Sequence, residues 1–347
     1  MISVIENKEE WNAVLQKVDT YDIYHTYEYH QISKKNGEKP ILITYEKQDC
    51  LVAIPLIVKA IRDTAHNDAT SAYGYSGPIS KNISEDFDHD KFSLELKEFL
   101  KQRAVASVFS RLNPYIPNQS TVLQNSGNIE KLGNLINIDL TLDLESQRRA
   151  YNPRLRTYIN KCRKKYIIKE AENEEQIKKL VSIYYENMLR VNANDRYFFP
   201  GSYFLSLWKS TDFKTKFLLA YDAASQELAG GAIFTIVNDI IHYHLSGVKK
   251  EYLKLNPIKL LIDDMRVSGT HGDFKYFNLG GGVGNNCDSL FRFKSGFSKN
   301  FKNFKVWKFI VDQNVYADLV SSRNIQCGFE SMSCQKFFPC YRCNILS

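Results

Sequence analysis
The sequence predicts an α/β (α+β) protein built as two domains, each a mixed sheet flanked by helices. Three observations lead there. The chain has 347 residues, enough for about two domains of ordinary size. Apolar residues recur at both strand spacing and helix spacing in each half of the chain, the pattern of a mixed architecture. Hydrophobic residues make up 44% and charged residues 24%, the composition of a globular protein with an ample core.

Taken in order, Trp11, Val14, Leu15 and Val18 share one helical face, which predicts a first helix from about Glu9 to Val18. Ile41 to Tyr45 and Leu51 to Val58 read as two strands joined by the polar turn Lys47-Gln48-Asp49. An aromatic and glycine loop, Tyr73-Gly74-Tyr75-Ser76-Gly77-Pro78, precedes a helix near Lys91 to Gln102 and a strand over Val105 to Ser110. Ile136, Ile138, Leu140 and Leu142 alternate as a half-buried strand does. Beyond a basic stretch, in which Pro153 marks a break or a helix start, helices are expected over Glu175 to Arg190 and Tyr203 to Lys209. Strands follow at Lys216 to Tyr221, Leu228 to Val237 and Ile240 to Gly247. Pro257 opens a helix whose apolar face is Ile258, Leu261, Ile262 and Met265 and which Gly269 should end. Tyr276 to Leu279 and Lys305 to Val311 complete the strands, and the domains are expected over 1–145 and 146–311.

The formal charge of +7 is unevenly placed. Arg148, Arg149, Arg154, Arg156, Lys161, Arg163, Lys164 and Lys165 follow one another with no acidic residue among them. Such a run is either a solvated helix face or a docking surface for phosphates, from a nucleotide-linked substrate or a nucleic acid. Of seven cysteines, Cys327, Cys334, Cys340 and Cys343 crowd the end, as four zinc ligands or as reduced thiols; the spacing favours thiols, so no metal is expected. The start lacks the basic-then-apolar order of a signal peptide, and no stretch nears the ~20 apolar residues of a membrane span, so a cytoplasmic protein is expected.

Asn278-Leu279-Gly280-Gly281-Gly282-Val283-Gly284 is the most informative segment, with Asp288-Ser289-Leu290-Phe291-Arg292-Phe293-Lys294-Ser295-Gly296-Phe297-Ser298 close behind. Gly280, Gly281 and Gly282 end a strand and let backbone approach a bulky ligand. Arg292 and Lys294 present cations from an apolar scaffold. A fixed cation such as Lys294 stabilises the oxyanion of acyl transfer, though it could equally hold a phosphate or lie at the surface on a buried stem. His242 and His244 alternate with Tyr243, so both histidines should share one strand face, either as bonded strand residues or with His244 as a base. Tyr73 and Tyr75 offer rings for stacking on a base or sugar, or form a rigid turn.

Leu228-Ala229-Gly230-Gly231-Ala232, Ile241-His242-Tyr243-His244-Leu245-Ser246-Gly247, Asn256-Pro257-Ile258-Lys259-Leu260-Leu261 and the Gly280 to Ser298 block resemble, in this order, the GNAT acyltransferase superfamily. The branch is that of the Fem-type peptidoglycan aminoacyltransferases, whose Phe-Lys pair is similar to Phe293-Lys294. Tyr27-x-Tyr29-His30 and the Tyr73 to Pro78 loop look like relatives associated with surface-polysaccharide synthesis. The resemblance implies two GNAT-like domains with substrate between them, and a tail, 312–347, that completes the first domain. It implies transfer of an acyl or aminoacyl group to an amine of a sugar nucleotide or cell-envelope precursor. Lys294 and His244 are then catalytic. Arg154, Arg156, Lys161, Arg163, Lys164, Tyr73, Tyr75, Gly280, Gly281, Gly282 and Arg292 would bind substrate.

Two departures leave the donor open between acyl-coenzyme A and aminoacyl-tRNA. Val248-Lys249-Lys250-Glu251 stands where ordinary GNAT enzymes carry an Arg/Gln-x-x-Gly-x-Gly pyrophosphate loop, and no helical hairpin for tRNA is evident. The competing expectation is a non-catalytic GNAT-like module that holds nucleic acid or another anionic partner through the basic segment.

Overall fold
Strand pairing carries further than the apolar letters do, because main-chain groups must be paired whatever side chain they bear. The computed structural model describes residues 2–327 and 337–343. It opens with strand β1 (Ile2–Ile5), helices α1 (Lys8–Leu15) and α2 (Tyr27–Ser33), and strands β2 (Lys39–Lys47), β3 (Cys50–Ala60), β4 (Asn67–Thr70) and β5 (Ile79–Lys81). Helix α3 (His89–Gln102), strand β6 (Val105–Leu112), helix α4 (Gln119–Val122) and strand β7 (Asn128–Asp139) follow. Next come α5 (Leu144–Arg149), α6 (Pro153–Lys165), β8 (Tyr166–Glu170), α7 (Glu174–Arg190) and α8 (Gly201–Lys209). Strands β9 (Lys214–Asp222), β10 (Leu228–Val237) and β11 (Ile240–Val248) lead to α9 (Ile258–His271), β12 (Tyr276–Gly280) and the short α10 (Ser289–Lys294). Strand β13 (Asn300–Ile310) and helix α11 (Gln313–Cys327) come last.

Contacts divide the chain into two units, Met1–Leu132 with Phe304–Ser347, and Gly133–Asn303. Residues 133–145 thus belong with the second unit, where β7 pairs with β12 from Tyr276↔Asp139 to Gly280↔Ile136.

In the first unit the strand order is β1-β2-β3-β4-β6-β13, with β5 on β3. All neighbours are antiparallel except β4 and β6, which α3 links as a parallel pair. Phe92, Leu96 and Leu100 repeat every four residues along α3 and are buried with Tyr45, Trp307 and Phe309. The parallel contact does not stop at Thr70. Ser76 bridges to Leu112, its amide donating to Arg111 O (2.8 Å) and its carbonyl accepting from Asn113 N (3.1 Å). Near the chain end, Tyr341 Oη meets Ser107 Oγ at 2.7 Å and Arg342 pairs with buried Asp68. Cys334 and the Cys327 side chain lie outside the described residues; among those described, no three metal-ligating side chains converge.

In the second unit the order is β7-β12-β11-β10-β9-β8, again antiparallel but for one pair, β11 and β12, which α9 links. All ten residues of β10 are buried. Gly231 and Gly247 explain how α7 comes so close: a Cβ at either would lie 2.8 Å from Leu180 Cδ1 or Tyr184 Cα. Gly269 does not end its helix, as the sequence suggested. The helix runs on to His271, and Gly269 sits inside it where a Cβ would lie 2.7 Å from Ile241 Cδ1. Among the described residues no helix is long and apolar enough to cross a membrane.

Candidate functional site
Ladder pairing between β11 and β12 runs through Ile240↔Tyr276, Ile241↔Phe277 and His242↔Asn278, and ends there. Beyond it β11 continues to Val248 against β10, while β12 turns away through the glycines. Lys294 belongs to this fork. Its side chain is buried at 8% exposure, its Nζ donates to Gly281 O at 2.9 Å, and it lies 5.7 Å from the Tyr243 ring centroid. Burial pushes the ammonium down to about 8, and the Asp288 carboxylate opposes that fall. Lys294 is therefore largely protonated at neutral pH, yet closer to losing its proton than an ordinary lysine.

The glycines are where the geometry needs them. Gly280 has φ +77°, and a Cβ there would lie 3.1 Å from Lys294 Nζ. A Cβ on Gly282 would overlap Asn286 O and lie 2.5 Å from Asp288 Oδ1. Asn278 fixes the start of the turn: its Oδ1 accepts from Gly280 N (2.8 Å) and its Nδ2 donates to buried His242 Nδ1 (3.1 Å). Asp288 fixes the end, accepting from Val283 N (2.9 Å) and, as the N-cap of α10, from Phe291 N (2.8 Å).

Tyr243 is drawn into the site rather than only packing behind it. Its hydroxyl is bonded to Ser246 Oγ, and burial pushes it up to about 12. The two histidines take separate partners. Tyr243 opposes Phe234 and Leu245 opposes Ile233, so His244 is the extra residue of a β-bulge and the alternation expected of the strand is interrupted. His244 Nε2 shares a 2.7 Å hydrogen bond with Tyr203 Oη from α8. Burial, then the nearby His242, pushes His244 down to about 3; it stays neutral and is a weak base at neutral pH.

The basic stretch separates into two groups. Arg163 Nη2 donates to Asp263 Oδ2 at 2.5 Å, and Asp263, fully buried, also receives Arg266 (3.0 Å), Tyr151 Oη (2.9 Å) and, at 3.6 Å, Arg148. That network ties α5 and α6 to α9. Arg154, Lys161 and Lys164 are exposed on α6, Arg156 is half-buried, and none of the four has a carboxylate partner among the described residues. Arg292 is exposed on α10. In the first unit Tyr73 is 45% exposed and its carbonyl accepts from Tyr29 Oη (2.7 Å). Tyr75 meets Tyr24 and Phe304 edge-on, with centroids 5.9 and 5.1 Å away.

At the start of α9 two backbone amides are already engaged. Asn256 N is taken by Tyr158 Oη and Ile258 N by Asn256 Oδ1 (2.8 Å), while Tyr166 Oη donates to Leu255 O (2.5 Å).

Asn278, Asp288 and Ser246 stand inside the informative segments, but sequence reading assigned them no role. Asp288 was in principle visible as an N-cap residue three positions before Phe291, but the other two gain meaning only from the fork.

Among solved structures, FemX matches with a TM-score of 0.71 and 11% identity, over 91% of this chain and 99% of that one. The C-terminal domain of a candidate lysylphosphatidylglycerol synthetase from Agrobacterium fabrum matches at 0.55 and 11% identity, covering 92% and 98%. A conserved protein of unknown function from Bacteroides thetaiotaomicron matches at 0.57 and 9% identity, covering 89% and 100%. No protein family and no curated protein matches the chain. The chain shares the fold of FemX.

Proposed function
We propose that this chain is an acyltransferase that moves an acyl or aminoacyl group onto an amine of a sugar nucleotide or cell-envelope precursor, of peptidoglycan or surface polysaccharide. The observation that carries it is the buried Lys294 ammonium, held on Gly281 O at the point where β11 and β12 part. In the reaction the acceptor amine adds to the donor carbonyl, a C–N bond forms, and the ester or thioester bond of the donor breaks. The amine's proton ends on the departing oxygen or sulfur. Lys294 stabilises the oxygen that carries negative charge between those steps. Tyr243 shapes the ammonium's surroundings, and the glycine turn lets the donor's carbonyl approach it. His244 contributes a neutral hydrogen-bonding group through Tyr203.

Arg154, Lys161 and Lys164 are the phosphate anchors of this reading, since Arg163 is engaged with Asp263. No step is assigned to coenzyme A at α9; a donor on another carrier, such as aminoacyl-tRNA, does not need a pyrophosphate loop there. The fit to FemX over nearly the whole of both chains supports a cell-envelope acceptor.

A thermal-shift screen with aminoacyl-tRNA, acyl-coenzyme A and sugar nucleotides tests the reading, because a ligand of the native state raises its melting point. A sugar nucleotide and one acyl donor should both stabilise the protein, and the pair should turn over. A protein that binds only RNA, with affinity collapsing as salt rises and no turnover with any donor, would instead be a binding module. Arg154, Lys161 and Lys164, exposed on α6 without a carboxylate partner among the described residues, are the observation behind that second reading.

A further inference from the structure
We infer that Asp288 is a positioning residue for Lys294, one carboxylate that fixes both the glycine turn facing the ammonium and the helix that carries it. The inference rests on the reading of Lys294 given above, and it concerns a residue of the Asp288–Ser298 segment to which the sequence reading assigned no role. Oδ2 accepts from Val283 N at 2.9 Å, which sets the exit of the Gly280–Gly282 turn. Oδ1 accepts from Phe291 N at 2.8 Å, which sets the first turn of α10. Lys294 closes the loop from the other side through Gly281 O at 2.9 Å. The three contacts bind two segments that would otherwise be a free loop and a six-residue helix, too short to persist alone.

Gly282 gives independent support. A Cβ on it would sit 2.5 Å from Asp288 Oδ1, so the turn is built to admit this carboxylate. The charge matters as well as the shape. Asp288 is the ionised group acting on Lys294 from the loop, and Tyr243 is the titratable group on β11 in ring contact with it. A carboxylate at that place keeps a buried amine protonated, which is the form an oxyanion partner needs.

The test needs no substrate. In the full chain labelled with 15N-lysine, the Nζ resonance of Lys294 is assigned by its loss in Lys294→Met and titrated by NMR. Its midpoint should fall by about one pH unit or more in Asp288→Asn, which keeps an oxygen to cap α10 but removes the charge and the second acceptor. Asp288→Ser, a second capping residue, should give the same fall, and Val283 N–H exchange should quicken in both. Asp143→Asn, the same change at the N-cap of α5, should leave the midpoint where it was. An unchanged midpoint in folded Asp288→Asn and Asp288→Ser would overturn the inference, as would an equal shift in Asp143→Asn. The functional reading fails separately, through full turnover in Lys294→Met, whatever the titration shows.

Discussion

The two units solve the same topological problem in opposite ways. Each has an antiparallel run of strands, a crossover helix, a parallel strand, and one further antiparallel strand beside it. Where the parallel pair must part, the first unit sews the gap shut. Ser76 extends the ladder to Leu112, Gln119 Nε2 donates to Ser76 O (2.7 Å) and Pro78 O (2.9 Å), and Asn113 Nδ2 donates to buried Asp22 (2.7 Å). The second unit leaves its fork unladdered after His242 and places an ammonium there. A fork filled with mutually satisfied amides is a structural joint. One that buries an ammonium on a backbone carbonyl is costly to build, and cost of that kind marks candidate chemistry.

Breaking this contrast should begin with Lys294. Lys294→Ala is expected to lower kcat by about two to three orders of magnitude with KM little changed, as loss of one oxyanion partner does. Gln119→Ala, its counterpart in the sewn fork, should lower the melting point and leave kcat of the folded protein alone. Weak binding with intact kcat in Lys294→Ala would make the lysine a phosphate anchor instead.

Glycine substitutions sharpen the contrast further. Gly74 has φ +130°, and a Cβ there would run into the Tyr24 ring, so Gly74→Ala should cost about 2–4 kcal/mol in urea unfolding. Gly280→Ala meets only the flexible end of Lys294 besides its φ of +77°, and should cost about 1–2 kcal/mol while depressing turnover.

The pH response should separate the units too. Lys294 lies near 8 in the folded chain against an ordinary 10.5, so turnover should be level below pH 8 and fall about tenfold per unit above it. Between 8 and 10.5 the unfolded chain holds a proton that the folded site has released. This group therefore makes the fold more stable as pH rises, while activity declines. The smallest effect is expected on α6. Neutral replacement of Arg154, Lys161 and Lys164 together should raise the acceptor's KM several-fold without changing kcat. Arg163→Gln should act on stability instead, through Asp263; unchanged kinetics in the triple variant would leave α6 a solvated face.

Much of the architecture was legible because period and punctuation agreed. The helix of Phe92, Leu96 and Leu100 and the strand Leu228–Val237 stand where the letters put them. β1, β4 and β8 were not read, since four- and five-residue strands such as Asn67–Thr70 carry too few alternations to show. Gly269 misled because an interior glycine that admits a neighbouring side chain looks, in sequence, like a helix stop. At the site, the glycines and Lys294 were legible as a local cluster. The division of the basic stretch was not: Arg163 and Arg154 are chemically alike, and Asp263, 100 residues beyond Arg163, decides between them.

The first unit is discontinuous, with the whole of Gly133–Asn303 lying between its two pieces. A ribosome therefore delivers β6 long before β13, the strand that pairs with it from Lys305↔Leu112 to Ile310↔Ser107. Until β13 emerges, the nascent first unit exposes an unpaired edge at β6, the kind of surface that invites association with other chains. The inserted unit, by contrast, is one uninterrupted piece and has all its strands as soon as residue 303 is made. Order of synthesis thus favours the unit bearing Lys294, and the first unit is the last to become whole.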